Sequence, residues 1–333
     1  MFKKLALIGI GLIGSSIARA ARKHDLAETI AITTRRPETL DEAKALGLGD
    51  IYTLDPREAV RGADLVILCI PVGAYGAVMA EIGDALMPGA ILSDVGSVKA
   101  HVVKVVRPLV PEGVHFIPAH PIAGTEHSGP AAGFAELFIG RWCILTPEAG
   151  VDPVAIDRLS SFWGAMGSDV EVMDARHHDR VLAITSHVPH LIAYNIVGTV
   201  ADLETATKSE VIKFSASGFR DFTRIAASDP VMWRDVFLTN RDAVLDMLGR
   251  FLEDLSKLQR YVRDGDGPAM EELFTRTRAI RRSIITAGQE TSAPDFGRPH
   301  AMEPTIEPAT EPFVDVNVEP DMPVRDHGGG DDA

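Results

Sequence analysis

The stretch HPIAGTEHSGP, His120 to Pro130, gathers two histidines, a glutamate, a threonine and a serine among prolines and glycines that exclude regular structure. Loops of this composition carry chemistry when a rigid scaffold holds them. Pro121 biases His120 toward extended backbone and so fixes where its imidazole is presented. A neutral imidazole held that way can take a proton from a hydroxyl group, although a buried, hydrogen-bonded structural histidine would have the same sequence. Two further segments sit at the ends of apolar runs: Cys69 to Val72, and SDVGSVK from Ser93 to Lys99. In the second, Ser97 offers a hydroxyl either to a substrate or as N-cap of the helix that follows.

A third segment, LALIGIGLIGSSIARA, places Gly9, Gly11 and Gly14 in GxGxxG spacing around Leu12 and Ile13, behind an apolar run and ahead of a helical pattern. That context suits a dinucleotide: a tight turn, close backbone approach to a pyrophosphate, and a helix N-terminus facing it. An acid about 20 residues further on would hold a ribose 2′-hydroxyl, but here the chain reads Thr33, Thr34, Arg35, Arg36. Hydroxyls followed by two arginines suit a 2′-phosphate, so NADP is favoured and NAD stays possible. Ile70 and Pro71, Ser97 and His120 are expected to converge beside the nicotinamide, since ligands of open parallel sheets lie outside the carboxyl ends of the strands.

The elements that must position these residues follow from periodicity. LALIGIG, TIAITT, LVILCIP, AILSDVG, HFIPAH and RWCILTP read as strands, separated by helical patterns such as SSIARAARKH, PETLDEAKALG, GAYGAVMAEIGDAL and VKAHVVKVVRPL. Near-continuous apolar strands alternating with helices predict a doubly wound, Rossmann-type parallel sheet covered on both faces. A helix over 153–167 and a strand over 169–173 are expected to close it. After Asp174 the strand signals stop. Asp229 and Pro230 start an amphipathic helix expected to run to about Arg263, and another begins at Pro268, with Glu271 and Glu272 early and Arg281 and Arg282 late, matching the helix dipole.

The domains are therefore expected at 1–174 (dinucleotide-binding) and 175–288 (helical), with a disordered, acidic, Pro-rich tail at 289–333. Long helices in so short a region cannot bury all their apolar stripes alone, which predicts a homodimer. The net charge of −14, more than half of it from the tail, argues against nucleic acid and anionic membranes as partners. Cys69 and Cys143 lack metal-ligand spacing, so no metal is expected and both read as buried thiols. No run of about 18 apolar residues occurs, and a cytoplasmic chain is expected.

Taken together and in order, GIGLIGSS, DVGSVK, HPIAGTEHSGP, SHVPH and FRDFTRIAASDPVMWRD resemble the prephenate and arogenate dehydrogenases of tyrosine biosynthesis, over residues 1–288. The resemblance implies oxidative decarboxylation of an anionic cyclohexadienol, prephenate or arogenate, with hydride passing from C4 to NAD(P). It implies that His120 and Ser97 contact the 4-hydroxyl and that Arg224 holds the ring carboxylate. Thr125, His187, His190, Trp233 and Ser217 would line the substrate pocket, and Glu126 with Asp221 would gate it. In this family the helical domain makes the homodimer. His127 acquires no role. Two other readings are a β-hydroxyacid-type dehydrogenase, for which Lys208 and Lys213 lack the glycine-rich setting, and a non-catalytic dinucleotide sensor.

Overall fold

Leu5, Ala6, Leu7 and Ile8 are at most 3% exposed because their strand runs through the middle of a sheet with helices on both faces. Burying each large aliphatic side chain there contributes roughly 1.5–3 kcal/mol. The computed structural model describes residues 1–125, 127–202 and 217–286; Glu126 and the 289–333 tail lie outside them, as do Lys208 and Lys213. Met1–Ser292 form one compact unit.

Six strands, β1 (Phe2–Ile8), β2 (Ala27–Thr33), β3 (Ile51–Thr53), β4 (Leu65–Leu68), β5 (Ile91–Asp94) and β6 (His115–Phe116), pair in the order β3-β2-β1-β4-β5-β6, all parallel. Between them run α1 (Leu12–Lys23), α2 (Pro37–Ala45), α3 (Pro56–Val60), α4 (Tyr75–Ile82) and α5 (Ala100–Val106). This is the doubly wound sheet that the alternation predicts.

The structure departs from expectation past β6. HFIPAH is not one strand: His115–Phe116 ends the main sheet, and Ala119–Pro121 forms β7 in a second sheet with β8 (Trp142–Leu145) and β9 (Asp169–Val172). β7 pairs antiparallel with β8, His120 opposite Ile144, so His120 stands in a strand of the second sheet and not at a strand end of the first. Helix α6 (Pro153–Ala165) connects β8 to β9. The cause of the switch is the Ile117–Pro118 step, where Pro118 has no N–H to continue the ladder.

Two buried side chains hold β7 against β5. Asp94 Oδ1 accepts from Ala119 N (3.1 Å), and Lys99 Nζ donates to Ala119 O (2.6 Å) and to Asp94 Oδ2 (2.5 Å). Both side chains are fully buried. Asp94 Oδ2 also accepts from Gly96 N (2.8 Å) and Tyr75 Oη (3.2 Å). Burial pulls the Lys99 ammonium below its ordinary range while Asp94 opposes that shift. Burial likewise pushes the Cys69 and Cys143 thiols up, leaving them protonated.

The helical half comprises α7 (Ala175–Leu182), a π-helical segment (Ala183–His187), α8 (Val188–Ala201), α9 (Ser217–Thr223), α10 (Pro230–Thr239), α11 (Arg241–Asp264) and α12 (Gly267–Thr286). The helix expected from Asp229 to Arg263 is thus two helices. Asn240 breaks it at φ −104° and ψ 29°, because its side chain turns inward to Asp179 O (2.8 Å) and His187 Nδ1 (3.0 Å).

Replacing Lys99 by Met leaves the Asp94 carboxylate buried without its counter-charge. The expected loss of stability is about 3–5 kcal/mol, read by urea denaturation; a loss under about 1 kcal/mol would show that the pair does not anchor the two sheets.

Candidate active site

The glycine loop follows β1 and opens α1, and its three glycines face different neighbours. A Cβ on Gly9 would lie 2.4 Å from the Cys69 carbonyl oxygen, at φ +99°, and one on Gly14 would lie 2.5 Å from the Gly9 carbonyl oxygen. Those two are demanded by the chain's own packing. Gly11 has nothing within 4 Å of a Cβ, so the chain itself does not require glycine there. It is the N-cap of α1, makes no side-chain cap, and is followed by a first turn without acids. The first amides of a helix have no intrahelical partner, and a helix N-terminus with open space beside Gly11 fits a dinucleotide pyrophosphate. Leu12 and Ile13, half-buried, begin the helix. At the end of β2, Thr34 is half-buried and Arg35 and Arg36 are exposed, with Arg36 Nε donating to Thr39 Oγ1 (3.1 Å). Ile70 and Pro71 leave β4 next to Gly9, where the Ile70 side chain lies 2.7 Å from the position of a Gly9 Cβ.

His120 is 8% exposed. Its Nδ1 meets His178 Nε2 at 2.9 Å, and His178 Nδ1 meets Asp179 Oδ1 at 2.9 Å. Burial, with His178, Lys99 and His187 as neighbouring positive groups when protonated, holds His120 well below the ordinary histidine value. The imidazole is therefore neutral. Ser97 is half-buried in the segment between β5 and α5, but it does not cap α5. Lys99 occupies the N-cap position, and the cap comes from another helix: Asp179 Oδ1 accepts from Lys99 N (2.7 Å) and Oδ2 from Ala100 N (2.9 Å).

The helical half supplies the opposite wall. His187 is fully buried, its pKa is lowered to about 4 by burial, and the Ser97 backbone faces its ring. His190 stacks on Trp233, ring centroids 3.6 Å apart at 24°, and its Nδ1 bonds Ser186 O (2.8 Å). Burial lowers the His190 pKa, and the Arg224 charge adds to that shift. Trp233 packs with Val98 and Val236, which brings the SVK segment against the helices. His120, Ser97, His187, His190, Trp233 and Arg224 are thus gathered around one place.

Other expected members are not joined to that cluster by the described contacts. Thr125 accepts locally from His127 N (3.2 Å), Ser217 and Asp221 are exposed on α9, and Glu126 lies outside the described residues. Conversely, the sequence reading passed over Asp94, Lys99, His178, Asp179 and Asn240. The available signal was an acid and a lysine among mostly apolar residues, at Asp94 and Lys99, since such charges are rarely buried unless paired; Asp179, between His178 and Arg180, carries no such signal.

Comparison with known proteins agrees with this architecture. A family model described as prephenate dehydrogenase, nucleotide-binding domain, matches residues 17–172, and one described as prephenate dehydrogenase, dimerization domain, matches 174–276. The chain is 43% identical over 286 residues to a cyclohexadienyl dehydrogenase of Zymomonas mobilis, covering 86% of this chain and 97% of the relative. It is 32% identical to the prephenate dehydrogenase of Bacillus subtilis, covering 88% and 78%. Among solved structures, the Aquifex aeolicus prephenate dehydrogenase in complex with hydroxyphenyl propionate and NAD+ superposes with a TM-score of 0.78 at 31% identity, covering 85% of this chain and 99% of that one. Synechocystis arogenate dehydrogenase gives 0.72 at 25%, covering 84% and 99%.

The division among the glycines has a measurable outcome. Gly11→Ala is expected to keep the melting temperature of the wild type while raising the KM for the cofactor at least about tenfold, whereas Gly14→Ala, which collides with backbone, is expected to lower the melting temperature. Unchanged cofactor KM in Gly11→Ala would remove the open space from the cofactor site.

Proposed function

The chain belongs to the prephenate dehydrogenase family, and from that premise we propose how its residues carry the NAD(P)-dependent oxidative decarboxylation of tyrosine biosynthesis. The observation that carries the reading is His120: a neutral imidazole with Nδ1 engaged by His178, opposite a wall of His187, His190, Trp233 and Arg224. The glycine loop and the N-terminus of α1 hold the cofactor through Gly9, Gly11, Leu12, Ile13 and Gly14, with Ile70 and Pro71 alongside. Bound there, the oxidised nicotinamide supplies the hydride acceptor.

His120 Nε2 accepts the proton of the substrate 4-hydroxyl as hydride leaves C4, with Ser97 as a second partner to that oxygen. The bond from the ring to its carboxylate then breaks, its electron pair enters the ring, carbon dioxide departs and the ring becomes aromatic. The phenolate oxygen recovers the proton from His120. Arg224 orients the carboxylate by a bidentate contact that lysine cannot reproduce. Thr125 and Ser217 complete the pocket, and Glu126 with Asp221 gate it.

The finer assignments belong to the same reading. NADP is preferred, supported by Thr34, Arg35 and Arg36 where an acid would select NAD. The 1–174 and 175–288 domains are supported by matched segments that meet at residues 172 and 174. The working unit is a homodimer through the helices, supported by Ile184, Ile196, Val197, Leu252 and Val262, which are 37–64% exposed. The location is cytoplasmic.

Rates with prephenate and with arogenate, each against NAD and NADP, test the assignment: a lower KM for NADP is expected, a lower KM for NAD overturns the preference, and turnover of neither substrate overturns the reading. His120→Asn is expected to lose about 10²–10⁴-fold in kcat with cofactor KM retained, and Arg224→Ala to raise substrate KM. The sign of the pH effect follows from burial. His120 binds its proton less readily than at the ordinary value of 6.5, so the base survives acidification and the acid limb of kcat/KM falls below the ordinary histidine range.

A further inference from the structure

We propose that His178 and Asp179 are positioning residues for this reaction, holding His120 in the one tautomer that leaves its Nε2 without a proton. The proposal rests on the reading of His120 as the proton acceptor, and it adds a requirement that reading does not contain.

The direction of the chain of bonds follows from its far end. The Asp179 carboxylate can only accept. It takes the Lys99 and Ala100 amides, at 2.7 and 2.9 Å, and the remaining contact, at 2.9 Å, is from His178 Nδ1, so His178 carries its proton on Nδ1. His178 is fully buried, and the nearby Lys99 ammonium opposes a second proton on it while Asp179 favours one; burial is the largest effect and the net shift is downward. Its Nε2 is then a bare acceptor. The 2.9 Å contact to His120 Nδ1 is a hydrogen bond only if His120 bears its proton there, and its Nε2 must be bare. Were His178 doubly protonated, its Nε2–H would donate to His120 Nδ1 and His120 would present an N–H where the reaction needs a lone pair.

Asp179 is itself fixed, because its carboxylate caps α5 and its carbonyl accepts from Asn240 Nδ2 (2.8 Å). Capping alone does not call for a histidine beside it. A fully buried imidazole with both nitrogens bonded is costly to desolvate relative to an apolar side chain of similar size, and its presence here is explained by what it does to His120. The rings of His120 and His178 also pack edge to face, centroids 5.1 Å apart, which fixes orientation as well as tautomer.

The test uses the full chain and two variants. His178→Leu removes the acceptor for His120 Nδ1–H, and is expected to lower kcat about 10- to 100-fold, as loss of an orienting group does, with KM for substrate and cofactor little changed. His178→Gln, whose side-chain oxygen can take that N–H, is expected to recover a large part of kcat. Long-range 1H–15N spectra should show His120 of the wild type protonated on Nδ1. Wild-type kcat in His178→Leu, equal loss in both folded variants, or an Nε2–H tautomer of His120 in the wild type would each overturn the proposal; the last needs no variant to fold. Wild-type kcat in His120→Asn would instead overturn the underlying reading of His120.

Discussion

Asp94 and Lys99 lie at the end of β5 and the entry to α5, their charges 2.5 Å apart and wholly out of water. Such a pair gives little net stability unless its remaining hydrogen-bonding capacity is used. Here it is used on structure: the carboxylate takes the amides of Gly96 and Ala119 and the Tyr75 hydroxyl, and the ammonium takes the Ala119 carbonyl. Ala119 is thereby gripped at both of its backbone polar groups. Since His120 is the next residue, the distance of the imidazole from the main sheet is set by this pair, and the tautomer chain behind it starts from a fixed backbone.

The second dependency is Asp179, a single buried carboxylate with three donors on two of its oxygens. It replaces the local cap that α5 lacks and joins α7 to the loop after β5. Asn240 continues the connection from α11. The site therefore has no independent parts: the segment that carries Ser97, the strand that carries His120 and the helices that carry His187 and Trp233 are joined by side chains that are themselves buried.

Much of this could be read from the chain, and what could not has a common physical cause. The glycine loop, the alternation of apolar strands with helices and the fixed histidine before Pro121 are local signals, and the doubly wound sheet followed from them. The strand break at Pro118, the helix break at Asn240 and the capping of α5 by Asp179 depend on partners far away in sequence. DVGSVK was read for its serine, the one residue with an evident local role, while Asp94 and Lys99 draw their importance from Ala119. Ala175–Val200 illustrates the same limit from another side. The sequence contains no long uninterrupted apolar run, yet the continuous helical stretch is apolar and long enough to cross a membrane by length and composition alone, and less than a third of its apolar part is buried. Its His187 nevertheless packs inward on Asn240, and residues 174–276 match a family model described as a dimerization domain.

The switch of the chain from β6 to β7 has a consequence in time as well as in space. The glycine loop is seated by Ile8, Thr33 and Cys69, all within the first part of the chain to be synthesised. His120 is seated by Ile144 across the second sheet, by His178 and Asp179, and through them by Asn240. In a chain that emerges N-terminus first and folds as it goes, the backbone bonds that seat the glycine loop can form before any of the partners that seat His120 has been made.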